Sequence, residues 1–253
     1  DIATKVIDPS SSAPCRIASN EFVQGSLTDF DSVYRFGQDC DVITIEIENV
    51  NTEALKKLAA EGKRVYPQPE IIELIQDKSR QKDFYQAEGI PTADFQNFGN
   101  LSELKEALKQ EKLSFPFVWK QARGGFDGRG VSIIRSAEDL NGLPQEAPCL
   151  AESLIPFEKE LAVVVARNVS GEKKAFPTVE MDFHPTANLV EYVFSPGIFT
   201  EEISLQARNL ALELAEKLGM DGLEFRILNA LQNDAPTVCG QVFSQGVGIG
   251  KCL

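Results

Sequence analysis

The sequence predicts a protein that combines α/β and α+β architecture, and three stretches carry this prediction. The first is a strand–helix–strand succession between positions 41 and 67. The second is a glycine-rich segment between two strands, and the third is a pair of strands joined by a short turn after position 160. Strands that alternate with helices are typical of parallel sheets, whereas short connections are typical of antiparallel ones. Both kinds of sheet are therefore expected, in different parts of the chain.

Periodicity, caps and breakers predict the individual elements. Short β-branched or aromatic runs bounded by Pro or Gly indicate strands. Apolar residues three and four apart, between a capping residue and a glycine, indicate helices. In chain order, the sequence predicts a strand at Lys5–Asp8, a strand in the first half of Asp41–Val50, a helix from Asn51 to about Ala60, a strand at Arg64–Pro67, helices at Asp77–Glu88 and Leu101–Leu108, strands at Phe115–Trp119 and Val131–Ile134, a helix at Ser136–Asn141, strands at Cys149–Ile155, Glu160–Arg167 and Ala175–His184, and a helix at Thr200–Leu218.

The segment Lys120–Gly130 carries the strongest functional signal in the chain. Four glycines lie within seven residues between two strands, where glycine loses backbone entropy and contributes no packing. The backbone is therefore expected to approach a ligand closely. Exposed N–H groups with Lys120 at the root and Arg129 at the tip suit a polyphosphate. The alternative is an ordinary glycine-rich hairpin, which seldom needs so many glycines or two flanking cations.

Other charged residues have both a functional and a structural interpretation. Glu46 and Glu48 are two apart and would share a face at the end of a strand, as site residues or as solvated charges. Lys78 lies in the first turn of a helix, where the dipole disfavours a cation, although surface lysines are common. Glu152 and Glu160 could accept hydrogen bonds from an amino group and a ribose, or could form structural ion pairs.

Composition limits the classes of function. The net charge of −13 argues against general nucleic-acid binding, so an anionic ligand would need local cations. No run reaches the ~20 apolar residues of a membrane span, and no signal peptide is expected. Five scattered cysteines without a C-x-x-C pair indicate reduced thiols in a cytoplasm. The single histidine, His184, excludes a multi-histidine zinc cluster.

Several short motifs follow one another in a specific order. They are Asp77-Lys78, Gly89-Ile90-Pro91-Thr92, Val118-Trp119-Lys120, Gly124–Gly130, Glu152 and Phe157–Leu161, with Glu46–Val50 and Tyr66–Asp77 in support. This order resembles the ATP-grasp superfamily and, within it, the N5-carboxyaminoimidazole ribonucleotide synthetase family. The glycine loop differs from that family's Gly-Gly-Tyr-Asp-Gly-Lys/Arg-Gly only at Phe126, which lacks the tyrosine hydroxyl. The resemblance covers roughly Val6 to Gly222 and implies an ATP-grasp fold with an amino-terminal α/β (pre-ATP-grasp) lobe.

The resemblance also implies roles for single residues. ATP would be bound through its phosphates, its adenine and its ribose, and a ribonucleotide would bind beside it. The implied ATP contacts are Lys78 and Lys120 for the phosphates, the loop Gly124, Gly125, Phe126, Asp127, Gly128, Arg129 and Gly130 closing over them, Glu152, Ser153, Leu154 and Ile155 for adenine, Glu160 for the ribose, and His184, which is otherwise a structural histidine. The implied ribonucleotide contacts are Glu48, Phe126, Asp127 and Arg129, of which Asp127 and Arg129 would be catalytic.

The implied reaction is the ATP-dependent carboxylation of 5-aminoimidazole ribonucleotide by bicarbonate, through carboxyphosphate, in purine biosynthesis. ATP and Mg²⁺ would be the cofactors, in a cytoplasmic homodimer that binds neither nucleic acid nor membranes. The alternatives are another ATP-grasp carboxylase, a formate-dependent ribonucleotide synthetase, or a nucleotide-binding relative without catalysis. Reading the complete encoded sequence would separate the last of these from the enzymes.

Three divisions of the chain follow from the resemblance. Residues 1–75 would form a partial pre-ATP-grasp lobe, 76–157 linker helices and the lid lobe, and 158–253 the main lobe with an incomplete carboxy-terminal part. The family's glycine-rich turn before Lys5 and its magnesium carboxylates after the long helix are not recognised, nor is anything beyond Asp234. Either separate segments of a longer protein are joined here, or the protein is a degenerate relative.

Overall fold

The computed structural model describes residues 2–125, 130–168, 170–184 and 190–219. The chain forms two compact units. The first takes its described residues from Asp1–Glu73, Val165–Lys174 and Leu218–Leu253, and the second from Leu74–Val164 and Ala175–Lys217.

The first unit consists mainly of short parallel strands and helices. Its elements are β1 (Lys5–Asp8), β2 (Glu21–Gln24), α1 (Phe30–Gln38), β3 (Val42–Thr44), α2 (Thr52–Ala60), β4 (Arg64–Tyr66) and the start of α3 (Pro69–Gln76). β1 pairs with β2 and β3 with β4, in both cases in parallel, as the strand–helix–strand pattern predicts. A buried apolar cluster holds α1, α2, β3 and β4 together: Val33, Ile43, Ala54, Leu55, Leu58 and Val65.

The second unit contains two antiparallel sheets. Its elements are α4 (Lys78–Ala87), β5 (Phe95–Phe98), α5 (Leu101–Lys109), β6 (Phe117–Gln121), β7 (Val131–Ile134), β8 (Cys149–Ser153), β9 (Glu160–Ala162), β12 (Val179–Phe183), β13 (Val190–Phe194) and α6 (Glu201–Lys217). The strands β10 (Val165–Arg167) and β11 (Lys173–Ala175) pair with each other and, except for Ala175, belong to the first unit. The four-stranded sheet has the order β5-β8-β6-β7, and the three-stranded sheet has the order β13-β12-β9.

Side-chain alternation gives the four-stranded sheet two different faces. Phe117 and Trp119 of β6 are buried against α5 and β7 in one apolar cluster. Val118 and Lys120 therefore point to the other face, because successive side chains of a strand alternate. In the register of β6 with β8, Val118 lies opposite Glu152, so Lys120 and Glu152 are diagonal neighbours on that second face.

Local signals predicted most helices well. Asn51, Asp77 and Asn100 each accept a backbone hydrogen bond at the start of α2, α4 and α5, and α6 ends before Gly219, whose φ is +61°. The expected helix at Ser136–Asn141 is shorter, a single 3₁₀ turn at Ala137–Leu140.

Two strand predictions are wrong. β3 ends at Thr44, so Glu46 and Glu48 lie in the bend beyond it and share no strand face. The partner strand ends too, because Thr44 pairs with Tyr66 and the next residue, Pro67, has no N–H to donate.

The long strand expected at Glu160–Arg167 is divided into β9 and β10, and its expected partner at Ala175–His184 is divided into β11 and β12. Pro177 interrupts the partner just before Val179, which pairs with Ala162. Proline has no N–H to continue the hydrogen-bond ladder, so both strands are interrupted at this point. As a result, β9 and β12 pair in one sheet, and β10 and β11 pair in another.

Candidate functional site

The first turn of α4 is bonded to the root of the glycine loop. The Lys78 backbone N–H donates to the Ala122 carbonyl at 2.9 Å, and the Lys78 ammonium donates to the Gly125 carbonyl at 2.8 Å. The Asp77 carboxylate accepts two N–H groups of the helix's first turn, and its other oxygen accepts from Arg123 Nε at 2.8 Å. These three interactions hold the start of α4 against the loop. Lys78 lies at a helix start, where the dipole disfavours a cation, but its ammonium is hydrogen-bonded to a carbonyl of the loop.

The root of the loop is closed by a backbone hydrogen bond. The Gln121 N–H donates to the Gly130 carbonyl at 2.8 Å. Gly124 and Gly130 have φ of +76° and +70°, and a Cβ on Gly130 would lie 3.2 Å from the Gly125 Cα. The positive φ favours glycine at position 130, and a larger residue would also crowd the Gly125 backbone. Phe126, Asp127, Gly128 and Arg129 lie outside the described residues.

A cluster of three charges, one buried carboxylate and two partly buried ammonium groups, occupies the second face of the four-stranded sheet. The Lys120 ammonium lies 2.8 Å from one Glu152 oxygen, and the Lys82 ammonium lies 3.3 Å from the other. Only 8% of the Glu152 side chain is exposed, against 12% for Lys82 and 28% for Lys120. The structure shows the ion pair that was one of the two interpretations of Glu152, and the nucleotide contact stays a prediction.

Burial and neighbouring charges act against each other on Lys82. Burial lowers the pKa of its ammonium, and the Lys120 cation lowers it further, while the Glu152 carboxylate raises it by charge and hydrogen bonding; the net pKa lies below the usual value for lysine. Lys82 also donates to Thr92 Oγ1 at 2.5 Å and lies 5.9 Å from the centre of the Phe95 ring. The cation is therefore held on three sides by protein groups.

The other predicted nucleotide residues lie at strand ends of the second unit. Ser153 ends β8, and Leu154 and Ile155 follow it directly, with 50% of Ile155 exposed. Glu160 begins β9 and pairs with Met181, while His184 follows the end of β12. Glu48 belongs to the first unit.

Sequence reasoning missed Lys82, Thr92 and Arg123 as contributors to this region. A signal for Lys82 was present, because Lys78 and Lys82 are four residues apart on one helix and so share a face. No local pattern indicates that this face meets Glu152.

Among the residues that the structure describes, no group of three or more His, Cys, Asp or Glu side chains could hold a metal ion. Within the same ranges, no helix has the length and apolar character to cross a membrane.

Comparison with protein families identifies the class of protein that this fold and loop define. Residues 83–225 match the ATP-grasp domain, and residues 1–76 match the ribonucleotide synthetase pre-ATP-grasp domain. The chain belongs to the ATP-grasp family, and the fold that the sequence motifs implied is confirmed.

Within the family, the chain is similar to curated proteins from a cyanobacterium and a yeast whose names refer to aminoimidazole compounds. It is 33% identical to the N5-carboxyaminoimidazole ribonucleotide synthase of Synechococcus elongatus, over 85% of this chain and 55% of that protein. It is also 33% identical to the phosphoribosylaminoimidazole carboxylase of Saccharomyces cerevisiae, over 83% of this chain and 38% of that protein.

A solved structure gives the same result. The N5-carboxyaminoimidazole synthase of Aspergillus clavatus, in complex with ADP and 5-aminoimidazole ribonucleotide, aligns with a TM-score of 0.74 at 29% identity, over 86% of this chain and 56% of that one. The family resemblance read from the motifs is thereby confirmed. The chain spans about half the length of the Synechococcus and Aspergillus proteins.

Proposed function

We propose that the protein carboxylates 5-aminoimidazole ribonucleotide with bicarbonate in an ATP-dependent reaction of purine biosynthesis. The observation that carries this proposal is the bonded arrangement of Lys78 and the root of the glycine loop, with Lys120 on the adjoining strand, within an ATP-grasp fold. The names of the similar proteins support the choice of substrate, and the Aspergillus structure contains ADP together with the aminoimidazole ribonucleotide.

The proposed chemistry has two steps. A bicarbonate oxygen attacks the γ-phosphorus of ATP, which releases ADP and forms carboxyphosphate. The 5-amino group of the ribonucleotide then attacks the carboxyl carbon, phosphate leaves, and the nitrogen loses a proton. The protein contributes positioning, charge neutralisation and exclusion of water from the labile acyl phosphate. Lys78 and Lys120 would neutralise the phosphates, since the Lys78 cation is bonded to the loop and Lys120 lies near the end of the strand that leads into it.

The remaining site residues keep the roles that the resemblance implies, as parts of this proposal. Adenine would meet Glu152, Ser153, Leu154 and Ile155, the ribose Glu160, and ATP also His184; the loop Gly124–Gly130 would cover the phosphates, and Glu48, Phe126, Asp127 and Arg129 would bind the ribonucleotide, with Asp127 and Arg129 in catalysis. We also propose the division into lobes at 1–75, 76–157 and 158–253.

Mg²⁺ is proposed as a cofactor because phosphoryl transfer from ATP requires neutralisation of the phosphate charge, which this ion supplies. Among the described residues there is no group of three or more His, Cys, Asp or Glu side chains that could hold a metal ion, so no residue is assigned to Mg²⁺ and no step depends on it. When bound, it would neutralise phosphate charge.

The test is product analysis with isotopically labelled bicarbonate and, separately, labelled formate. Incorporation of the bicarbonate label, dependent on ATP and the ribonucleotide, is the expected result. Dependence on formate would instead assign a formate-using ribonucleotide synthetase. If the protein binds ATP but forms neither labelled product, it would be a nucleotide-binding relative without catalysis.

Two substitutions separate the roles of the loop's cations. Lys120→Ala should weaken ATP binding roughly ten- to a hundredfold, because a charge-assisted contact to phosphate is lost. Arg129→Ala should lower turnover by about a hundredfold or more with little change in ATP affinity, since a bidentate guanidinium suits carboxyphosphate or ribonucleotide oxygens. ATP titration and steady-state rates measure both effects. Equal losses of ATP affinity in the two variants would mean that Arg129 also binds the phosphates of ATP. A wild-type turnover rate in Arg129→Ala would mean that Arg129 is a solvated surface residue.

A cytoplasmic location and a homodimer complete the proposal. They rest on the family resemblance and, for the location, on cysteines that show no paired pattern. Sedimentation at micromolar concentration should give the dimer mass, and a monomer alone would contradict the assembly.

A further inference from the structure

We propose that Lys82 is a positioning residue for ATP: it shares the Glu152 carboxylate with Lys120 and so leaves the buried cluster with the surplus positive charge that attracts the polyphosphate. This inference rests on the proposed function only in taking ATP as a ligand of Lys120. It assigns to Lys82 no contact with ATP itself.

Two elements bring Lys82 to Glu152. Lys78 and Lys82 lie one turn apart on α4, so the helix that presents Lys78 to the glycine loop presents Lys82 on the same face. α4 contacts β8, and there the Lys82 ammonium meets Glu152 at 3.3 Å. The β6–β8 register places Lys120 at the other Glu152 oxygen, at 2.8 Å. One carboxylate thus serves two ammonium groups from different elements.

The charge of the cluster follows from this sharing. Lys82, Glu152 and Lys120 together carry two positive charges and one negative charge. Without Lys82, the pair Lys120–Glu152 would carry no net charge. Such a pair would attract a polyphosphate only weakly in a chain whose net charge is −13. Lys120 is the most exposed of the three side chains, so the surplus charge is available at the position nearest to solvent.

The folded state holds Lys82 charged at a cost. Burial and the Lys120 cation together lower the pKa of Lys82 by more than the Glu152 carboxylate raises it, so protonation is less favourable here than in water. A buried ion pair is seldom the most stable choice, and an apolar side chain of similar length often stabilises a fold better. Thr92 and Phe95 nevertheless position this cation. Retention of a costly charge beside a proposed phosphate ligand indicates a role in binding.

The test compares ATP with adenosine, because adenosine lacks the phosphates on which the cluster would act. The variants are Lys82→Met, Lys82→Arg and the matched control Lys109→Met, which removes an exposed lysine paired with Glu106. Calorimetric titration should show ATP affinity about tenfold lower in Lys82→Met, as expected for one charge removed nearby, with adenosine affinity unchanged. Lys82→Arg should keep ATP affinity close to that of the wild type, and Lys109→Met should change neither ligand.

A double variant tests whether Lys82 acts through Glu152. Lys82→Met with Glu152→Gln restores the surplus charge of the wild-type cluster, so the ratio of ATP to adenosine affinity should return to within a few-fold of the wild type. In Lys82→Met one buried Glu152 oxygen loses its lysine partner, whereas the double variant has no carboxylate there, so it carries the test even if Lys82→Met alone does not fold. A ratio that stays tenfold low in the double variant overturns the proposal. Equal weakening of ATP and adenosine in Lys82→Met overturns it as well, because that pattern belongs to a purely structural residue.

These titrations contain neither bicarbonate nor the ribonucleotide. A protein that passes them but incorporates no labelled bicarbonate would defeat the proposed reaction and leave the role of Lys82 standing. If the protein incorporates the label but its Lys82 variants bind ATP like the wild type, the proposed reaction would stand and the role of Lys82 would be overturned.

Discussion

The two antiparallel sheets of the second unit differ in how their strands are held. In the four-stranded sheet, Phe117 and Trp119 are almost fully buried, and the opposite face carries the Lys120–Glu152 pair. In the three-stranded sheet, every residue of the edge strand β13 is exposed, with 56% of Tyr192 and 59% of Val193 accessible within the described ranges. The four-stranded sheet therefore packs one face against a buried apolar cluster, whereas the edge strand of the three-stranded sheet is exposed.

The difference shows how a core positions a charged site. A one-residue slip of β6 would move Trp119 to the charged face and Lys120 into the core, so burial of the tryptophan also determines where the ammonium lies. In the three-stranded sheet, Glu180 is instead bound by Lys159 at 2.6 Å and by the Ile198 N–H at 2.7 Å. Such contacts tolerate changes that a packed core does not.

The largest effect is expected from the core. Trp119→Ala should lower the free energy of unfolding by about 3–5 kcal/mol, because it removes a buried aromatic side chain and leaves a cavity. Urea denaturation followed by circular dichroism measures this change. A loss below about 1 kcal/mol would mean that the four-stranded sheet is not held by this core.

A smaller effect is expected at the helix that is bonded to the loop. Asp77→Ala should cost about 1 kcal/mol through loss of the N-cap, and it should also weaken ATP binding because Arg123 loses its partner beside the loop. Asn100→Ala is the matched control, since Asn100 caps α5 in the same way. It should destabilise the protein by a similar amount and leave ATP affinity unchanged. Equal ATP affinities in the two variants would show that Asp77 serves only the helix.

The polar contacts of the three-stranded sheet should respond to pH. The Lys159 ammonium and the Ile198 N–H hold the pKa of Glu180 below its ordinary value of 4.5. A carboxylate with a lowered folded pKa contributes stability that is present above its unfolded pKa and is lost as the pH falls through the folded one. Acid titration of stability in Glu180→Gln should therefore be flatter than in the wild type below about pH 4.5. Glu191→Gln, on the neighbouring strand, is the control, and an identical curve for Glu180→Gln and the wild type would contradict the assignment.

The smallest effect is expected on β13. Tyr192→Ser and Val193→Ser should each change the free energy of unfolding by no more than about 0.5 kcal/mol, because exposed side chains lose little packing. The same urea denaturation used for Trp119→Ala gives the comparison directly. A loss of 2 kcal/mol or more would indicate that β13 is covered in solution, and the contrast between the two sheets would then disappear.

Much of the fold could be predicted from local signals. Asn51 and Asp77 identified two helix starts, because a capping side chain acts within its own first turn. The breakers around Phe115–Trp119 and Val131–Ile134 identified the strands on either side of the glycine loop. The divided strand at Glu160–Arg167 was missed because its break depends on Pro177 in a partner strand, and pairing is not a local property.

For the candidate site, the sequence by itself determined the loop: its glycines, Lys120 at its root and the order of motifs that defines the ATP-grasp family. Only the tertiary structure decided which charges meet. Whether Glu152 faces solvent, adenine or a lysine depends on the register of β6 with β8 and on the contact of α4 with β8. The charge state and the partners of a buried carboxylate depend on groups that are distant in sequence. The local sequence does not show how close these groups come to the carboxylate in the folded protein.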